Sequence, residues 1–574
     1  MSGISQFDRK FFDSEKPISF IGSGSMGGKA QGLVHINNFL KSAFNKEDFP
    51  EIEVNIPTLT VIRTDVFDNF MAANNLYEIA HSDAPDDRIA HAFQKTNLPF
   101  DILGDLRTIV EEVHSPLAVR SSSMLEDAIH EPFAGIYSTK MTPNNQPDAD
   151  SRFRKLVEAI KFVYASTFFK DAKDYMKVSK HQIGDEKMAV IIQEVVGQRH
   201  GESFYPEVSD IARSYNYYPM GRAKPEDGVV DLALGLGKTI VDGGVSWAYS
   251  PAWPKISPPF NSIGEMLKYT QKVFWAVNMG KPPAYDPIKE TEYLVLENLA
   301  TAETDGVLQH IASTVDRNSG RLVMGTGADG PRVLTFAPLL TLNNISINNL
   351  IKSLLKLCTD VLNTPVEIEF AMNFSKDGPH RFGFLQVRPM VVSTENVHLD
   401  LSALSADNVL IASEHVLGNG VIDDIQDIVY VKPDSFNLKQ THLIAQELGV
   451  INEKLVSENL PYLLIGFGRW GSSDPWLGIP VKWSQISGAK VIVETTLENI
   501  HIDLSQGSHF FHNLTSFNVS YFSLSPTGKN KIYWHWLQAL PSQEDIKLVR
   551  HVKISPPLTI KFDGQNGRGV INKP

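Results

Sequence analysis

The first two thirds of the chain alternate between apolar runs of strand length and segments with apolar residues at helical spacing. The sequence EVNIPTLTVIRTDVFDNFM, residues 53–71, predicts a β-branched strand followed by a helix that begins near Thr64. Helical spacing also characterises residues 151–169 and 346–363. The continuous apolar run MAVIIQEVV, residues 188–196, predicts a strand that is buried on both faces.

Two further runs predict a β-hairpin that is followed by a domain boundary. They are PVEIEFAMNF, residues 365–374, and RFGFLQVRPMVV, residues 381–392, with the polar turn SKDGPH between them. Residues 393–405 are polar and without a periodic pattern, as expected for a linker. The mixture of helices and strands predicts an α+β fold for the chain before this boundary.

Beyond the boundary, the pattern predicts a smaller α/β domain. It contains an amphipathic helix at residues 440–456 and strand-like runs at residues 461–468, 489–496 and 518–524. The tail that starts near Pro556 is predicted to be loosely ordered.

Composition and charge narrow the class of function. The chain has 574 residues with 66 acidic and 53 basic side chains, a formal charge of −13, and no Lys/Arg-rich run. This balance argues against a nucleic-acid partner and against an anionic membrane surface. The N-terminus lacks the apolar core of a signal peptide and no stretch reaches the roughly 18 apolar residues of a membrane span, so we predict a cytoplasmic protein.

The single cysteine, Cys358, lies on an apolar helical face and is predicted to be a buried structural thiol.

A glycine-rich segment, GSGSMGGKAQGLVHINNFL at residues 22–40, is the first candidate for chemistry. Glycines let backbone amides approach phosphate oxygens, and a helix that follows presents its positive N-terminus. Lys29 is placed to meet an α- or β-phosphate, although the spacing is not that of a Walker A loop. An ordinary glycine turn explains the same residues equally well.

The second candidate is the segment SPLAVRSSSMLEDAIHEPFAGIYST, residues 115–139. An apolar strand reaches Arg120 and continues into three serines, so the guanidinium is suited to a clamp over phosphates. The alternative is an exposed arginine beside a serine-rich turn.

The predicted hairpin carries the third candidate. Strand alternation places Glu367 and Glu369 on one face, and Gln386 and Arg388 likewise share a face. Hard oxygen ligands of this kind suit Mg²⁺, and the arginine could neutralise charge on a transferring phosphoryl group. A solvated strand face with cross-strand ion pairs is the alternative.

Taken together, these segments resemble the ATP-binding domain of pyruvate phosphate dikinase and phosphoenolpyruvate synthase. The resemblance covers roughly residues 15–395, and five pieces match in order: GGKAQGL, AVRSSSMLEDAIHEPFAGIYST, AVIIQEVV, VVDLALGLGKTIVDGG and EIEFA…FLQVRPM. It implies a two-lobed ATP-grasp-like module, with an N-terminal lobe at residues 1–200 and a C-terminal lobe at residues 201–395. A divergent domain of unknown role at residues 396–574 would follow it.

The family's functional residues map onto matching positions of this chain. The resemblance implies that Lys29 and Arg120 contact the phosphates of ATP. It implies Glu369 and Gln386 as ligands of magnesium, Arg388 as a phosphate contact and Glu367 as support. The segment QEVV would be the hinge whose backbone reads the adenine, which implicates Gln193, Glu194 and Val196.

The chain also departs from the family pattern. Lys238 stands in GLGK where the family usually has an acid, and residues 205–228 keep only the outline of the family's Gly-Val-x-Phe strand. The swivelling phosphohistidine domain with its Thr-x-Gly-Gly-x-Thr-x-His signature is not found in that form. About 180 residues remain after the module, too few for the usual barrel of about 250 residues that binds pyruvate.

The C-terminal region offers three local candidates. Arg469, Trp470, Asp474 and Trp476 lie among glycines, as in a binding loop or in a turn stabilised by tryptophan packing. His509 follows a Gly-Ser turn at a predicted helix start, and His512 lies one turn later, without an evident third ligand for a metal. His442 is interpreted as a helix-surface residue.

These observations predict an ATP- and Mg²⁺-dependent phosphotransferase of unknown acceptor. His509 is the candidate phosphoryl acceptor within the chain, because a neutral imidazole at a helix start is a competent nucleophile near pH 7. The alternatives are one component of a split synthase, whose phosphohistidine and pyruvate domains lie on a partner chain, and a regulatory or scaffold protein that binds ATP without turnover.

Overall fold

The computed structural model of the chain describes residues 4–9, 17–123, 126, 135–178, 186–217, 219, 222–256, 260, 262–342, 345–390, 397, 399–400, 402, 408–472, 476–496, 514, 519–524, 531–564 and 566–574. Within these residues helices and strands are mixed along the whole length, as predicted for an α+β protein. No helix among them is both long enough and apolar enough to cross a membrane.

The first sheet has six strands and forms the centre of the N-terminal part. In spatial order they are Ser5–Gln6, Ile18–Ile21, Leu59–Ile62, Met188–Glu194, Leu117–Ser123 and Lys140–Thr142. The helices of this part are Gly27–Ser42, Thr64–Ala73, Tyr77–His81, Asp86–Gln94, Phe100–Glu112, Ala149–Ser166 and Lys170–Val178. The predicted strand and the helix from Thr64 are confirmed, and the apolar run at residues 188–194 is a central strand because both its neighbours pair with it.

The second sheet also has six strands and contains the predicted hairpin. Its spatial order is Trp247–Tyr249, Val229–Ala233, Val208–Arg213, Val366–Asn373, His380–Pro389 and Ile52–Asn55. The edge strand Ile52–Asn55 pairs in parallel with His380–Pro389, so a segment from the N-terminal part completes this sheet.

Two smaller sheets and five helices surround the second sheet. The strands, in spatial order, are Leu294–Asn298, Val273–Asn278, Ser203–Tyr205 and Gln198–His200 in one sheet, and Leu322–Met324, Ala312–Val315 and Arg332–Leu334 in the other. The helices are Lys238–Val241, Ile263–Tyr269, Leu299–Thr304, Ala337–Thr341 and Ile347–Leu362. Cys358 is buried on the last helix, as predicted, and burial raises the pKa of its thiol to about 12.

The C-terminal part contains a seven-stranded and a five-stranded sheet. The first has the order His415–Leu417, Ser520–Leu524, Ala489–Thr495, Tyr462–Phe467, Asp427–Val431, Val549–Lys553 and Ser542–Asp545. The second has the order Asn419–Ile422, Thr559–Asp563, Arg568–Asn572, Val409–Ser413 and Lys531–Ile532, and Arg469–Trp470 pairs with Gly478–Ile479. Among the described residues of this part the α-helices are Thr441–Ser457 and Trp534–Ala539. The expectation of a loosely ordered tail is wrong, because two of these strands lie beyond Pro556.

The C-terminal part packs against the helices of the N-terminal part. Phe70 and Tyr164 from the N-terminal helices share one apolar core with Ile444 and Trp470 from the C-terminal part. Lys482 Nζ also lies 2.7 Å from Asp171 Oδ2, which adds an exposed ion pair to the same contact.

Candidate nucleotide site

Arg120 connects the first sheet to the second. It lies on the strand Leu117–Ser123, and its side chain donates to the carbonyl oxygen of Leu385 at 3.1 Å and to Gln386 Oε1 at 2.7 Å. It also donates to Gln193 Oε1 at 3.3 Å, and Glu369 Oε2 lies 3.6 Å away. The structure therefore brings four predicted site residues, Arg120, Gln193, Glu369 and Gln386, to one point.

The hairpin places a buried arginine between two carboxylates. Its register pairs Glu367 with Arg388 and Glu369 with Gln386, so the face predicted from strand alternation is confirmed. Arg388 is 1% exposed; its Nε lies 3.1 Å from Glu367 Oε1 and its Nη2 forms an ion pair with Glu369 Oε1. Because charge-assisted pairs of this kind fix side-chain orientation, both acids are held in place by the same guanidinium.

A second buried arginine, not identified from the sequence, extends this network. Arg213 donates to Glu367 Oε2 at 2.6 Å and to Asp231 Oδ2 at 3.0 Å. Ser246 donates in turn to Asp231 Oδ1 at 3.0 Å. Burial raises the pKa of Asp231, and the neighbouring Arg213 opposes this shift.

The network has three cationic and three anionic members. The arginines are Arg120, Arg213 and Arg388, and the acids are Asp231, Glu367 and Glu369. The signal in the sequence was the presence of charged residues in two strand-like runs, Asp210 and Arg213 in VSDIAR and Asp231 in VVDLA. Charges are rarely buried in central strands unless they are paired.

Lys29 lies in a separate polar cluster. Its Nζ is 2.7 Å from Glu126 Oε1 and 3.3 Å from Ser121 Oγ. The other oxygen of Glu126 accepts from the backbone N–H of Ser123 at 2.9 Å. None of the contacts described for Lys29 reaches the network around Arg120, so this lysine ties the helix Gly27–Ser42 to the serine segment.

One glycine of the glycine-rich segment is required by protein packing. Gly27 has φ +76°, and a Cβ atom there would lie 1.8 Å from the carbonyl oxygen of Ser122. The close approach that glycine allows is therefore to the backbone of the serine strand. Ser122 Oγ also accepts from the N–H of Ala30 at 3.1 Å, which fixes the first turn of the helix.

The residues of the predicted adenine hinge lie in different environments. Gln193 joins the network through Arg120, whereas Glu194 Oε1 accepts from Ser115 Oγ at 2.6 Å. Val196 packs closely on the second sheet, since a Cβ atom at Gly383 would lie 2.4 Å from its Cγ2. Beside the hinge is a small apolar cluster from the first sheet, one of the smaller sheets and the adjoining loops: Ala118, Val195, Phe204, Leu236, Val277 and Met279.

Lys238 has acidic neighbours of its own. Its Nζ lies 3.0 Å from Asp242 Oδ2 and 3.9 Å from Glu290 Oε1. Burial raises the pKa of Glu290, and Lys238 opposes that shift. The lysine at this position is thus accompanied by compensating acids.

The C-terminal candidates that the structure describes lie in different environments. Arg469 is buried and donates to the carbonyl oxygens of Gly243 at 3.0 Å and Gly244 at 3.3 Å, so it bridges the C-terminal part to the end of the GLGK segment. Trp470 Nε1 donates to the carbonyl oxygen of Val493 inside the core, whereas Trp476 is 61% exposed. His442 is on the exposed face of its helix, as predicted. Asp474, His509 and His512 lie outside the described residues.

Two oxygen atoms could hold a magnesium ion. Glu369 and Gln386 lie opposite each other in the hairpin register. Mg²⁺ typically takes one or two protein oxygens and completes its shell with phosphate and water, which this pair fits. Within the described part of the chain no three His, Cys, Asp or Glu side chains are grouped to hold a metal by themselves. Glu367 is the more enclosed carboxylate, with a side chain 4% exposed between Arg213 and Arg388, whereas the side chain of Glu369 is 14% exposed beside Arg388 and Arg120.

Comparison with known families agrees with this geometry. The model of the pyruvate phosphate dikinase AMP/ATP-binding domain matches residues 23–408, and this range includes every member of the network. No curated protein sequence matches the chain. The chain therefore belongs to the pyruvate phosphate dikinase family through an AMP/ATP-binding domain that spans residues 23–408.

Proposed function

We propose that this chain is an ATP- and Mg²⁺-dependent phosphotransferase, with the nucleotide bound between two ATP-grasp-like lobes. The observation that carries the proposal is the contact of Arg120 with Gln386 and Glu369 across the two sheets. A cation on one sheet faces an acid, an amide oxygen and a second arginine on the other. That combination suits the phosphates of a nucleotide and its metal.

The arginines would orient the phosphates. In the structure Arg120 donates to neutral oxygens of Gln193, Gln386 and Leu385, which ATP phosphates can replace as stronger acceptors. Arg388 is fixed by Glu367 and Glu369 and would stabilise charge on the phosphoryl group in transfer. Arg388 is already oriented before ATP binds, so the main change on binding would be the exchange of acceptors by Arg120.

Glu369 and Gln386 would hold Mg²⁺, which when bound neutralises phosphate charge. The buried partners Arg213 and Asp231 would keep Glu367, and through it Arg388, in position. The backbone of residues 193–196 would bind the adenine against the apolar cluster at Leu236 and Val277. Lys29 would either hold the serine segment in place through its ion pair with Glu126, or leave Glu126 and bind a phosphate of ATP.

His509 remains our candidate acceptor. Transfer would form a phosphorus–nitrogen bond at the imidazole and break a bridging phosphorus–oxygen bond of ATP, so that the remainder of the nucleotide leaves with the bridging oxygen. The test is incubation with β- and γ-labelled ATP. We expect an acid-labile, base-stable label that disappears in His509→Ala and persists in His512→Ala. Label that remains in His509→Ala, or none in the wild type, excludes this acceptor.

A second candidate is a protein that binds ATP without turnover. It is favoured by the Lys29–Glu126 pair, because a lysine already neutralised by a buried acid is less available to phosphate. Mg²⁺-dependent ATP consumption by the pure chain supports the enzyme. ATP binding with no consumption, and no label on the chain, supports the sensor. Label that appears only after addition of a chain with phosphohistidine and pyruvate domains supports a split synthase.

A further inference from the structure

A second cleft lies away from the network around Arg120. It has a volume of about 400 Å³ and opens between the helices Asp86–Gln94 and Ala149–Ser166, with Tyr285 from a later loop at its side. The residues that characterise it are His91, Lys95, Phe153, Arg154, Lys161 and Tyr285. This volume is within the usual range for small-molecule sites, about 300–1,000 Å³.

Lys161 is the unusual member of the cleft. It is 8% exposed, and its Nζ donates to the carbonyl oxygen of Gln94 at 3.3 Å. That bond uses one of the three N–H groups of the ammonium. Within the described ranges no carboxylate forms an ion pair with Lys161, although buried cations are normally paired. Burial accordingly lowers the pKa of Lys161.

The charge of the cleft is opposite to that of the chain. Lys95, Arg154 and Lys161 line it. Among its described lining residues the one acid is Glu158, which lies 2.8 Å from Lys155 Nζ and is neutralised there. Arg154 donates to Ser151 Oγ at 3.1 Å. The chain as a whole carries −13, so three cations around one concavity form a local exception that attracts anions.

The remaining wall of the cleft is aromatic and apolar. Phe153, Val157 and Tyr285 line it. Burial, together with nearby Glu158 and Glu292, raises the pKa of Tyr285 to about 12, so its hydroxyl remains a hydrogen-bond donor at neutral pH. A ligand there would meet both cations and aromatic rings.

We propose that this cleft binds a small organic anion, a phosphate or carboxylate carried on a ring or a short apolar body, at a site separate from the nucleotide. The anionic group would contact Lys161 with Lys95 or Arg154. The apolar body would pack on Phe153 and Tyr285. The site is independent of whether the chain transfers phosphoryl groups.

The test is calorimetric titration of the full chain with phenyl phosphate, in the presence of saturating ATP and Mg²⁺. Benzoate tests whether a carboxylate can replace the phosphate group. Inorganic phosphate tests the anion without a ring, and benzyl alcohol tests the ring without an anion. We expect phenyl phosphate or benzoate to bind more tightly than either inorganic phosphate or benzyl alcohol. Lys161→Met should weaken that binding about ten- to a hundredfold, the loss of one charge-assisted contact.

Lys352→Met, which removes an exposed lysine from another helix, is the matched control and should leave binding unchanged. Arg154→Gln, on the exposed turn of the cleft helix, should weaken binding severalfold. This second variant tests the site even if Lys161→Met does not fold. Thermal unfolding without ligand checks the fold of each variant. The proposal is overturned if neither organic anion binds at about 10 mM, if ATP displaces it, or if folded Lys161→Met and Arg154→Gln bind as the wild type does.

Discussion

Arg120 Nη2 lies 2.7 Å from Gln386 Oε1, and this hydrogen bond joins two sheets across 266 positions of sequence. Glu369 lies beside it, and Arg388 lies beyond Glu369. The guanidinium of Arg120 therefore links the two sheets, and it is also the group that we propose as a phosphate contact.

Arg120→Met should weaken ATP binding about ten- to a hundredfold, because a charge-assisted phosphate contact is worth about 1.5–3 kcal/mol. Calorimetry measures the affinity. Arg317→Met removes an arginine that is 70% exposed in its side chain and serves as the control. Equal affinities in the two variants would remove Arg120 from the site.

Lys29→Met should destabilise the chain by about 3–5 kcal/mol, because it leaves Glu126 buried without its cation. Adding Glu126→Gln should restore most of that stability in urea unfolding. The double variant also separates the two roles of the lysine. If ATP affinity returns with stability, Lys29 acts only on the serine segment; if affinity stays low, the lysine contacts phosphate.

Glu369→Gln should reduce Mg²⁺-dependent ATP turnover far more than it reduces metal-free nucleotide binding, because the amide is a weaker magnesium ligand. Steady-state turnover and calorimetry in EDTA measure the two quantities. Glu53→Gln on the edge strand of the same sheet is the control. Wild-type turnover in Glu369→Gln contradicts the metal assignment.

Arg213→Met should lower stability, because Asp231 loses its buried cation, and should also lower turnover by loosening Glu367. Adding Asp231→Asn should recover stability. A turnover number that stays low in the stable double variant, with the KM for ATP near that of the wild type, identifies Arg213 as a positioning residue. Full recovery of turnover would limit it to a structural role.

Asp210 predicts a pH dependence of folding. Its carboxylate is buried with no hydrogen-bond partner among the described residues, and burial raises its pKa well above the usual value. The folded chain therefore holds this proton more tightly than the unfolded chain, whose aspartate titrates near 3.9. The contribution of this bound proton to the free energy of unfolding is therefore complete below that pH. It is lost as the pH rises through the pKa of Asp210 in the folded chain.

Asp210→Asn should accordingly gain little stability over the wild type near pH 4 and progressively more toward pH 7, because the asparagine has no proton to lose. Urea unfolding at pH 4, 5.5 and 7 measures the difference. Asp377→Asn in the exposed hairpin turn should show no such trend. A gain that is constant with pH would argue against titration of Asp210.

The parts of the site that follow from local periodicity were predictable. Alternation along the hairpin placed Glu367 with Glu369 and Gln386 with Arg388, and each pair does share a face. The helix from Thr64 and the central strand at residues 188–194 follow from the same patterns. Periods of 2 and 3.6 residues are properties of the sequence itself.

The parts that depend on pairing between distant strands were not predictable. Nothing local to Lys29 indicates that Glu126 will neutralise it, and Arg213 meets Asp231 and Glu367 only because three strands become neighbours. The tail had a readable signal: Ile560 and Phe562 alternate with Lys561 ahead of an Asn-Gly turn. The predicted loose tail was wrong, because this alternating segment forms the strand Thr559–Asp563.

The edge strand Ile52–Asn55 has a consequence for synthesis of the chain. Its partner, His380–Pro389, is made more than 300 residues later. At about 5–20 residues per second, the strand waits tens of seconds on the ribosome with its hydrogen-bonding groups unpaired. A nascent or truncated chain that ends before residue 380 exposes an unpaired strand edge, the kind of surface that recruits other strands, so such fragments should aggregate or require a chaperone.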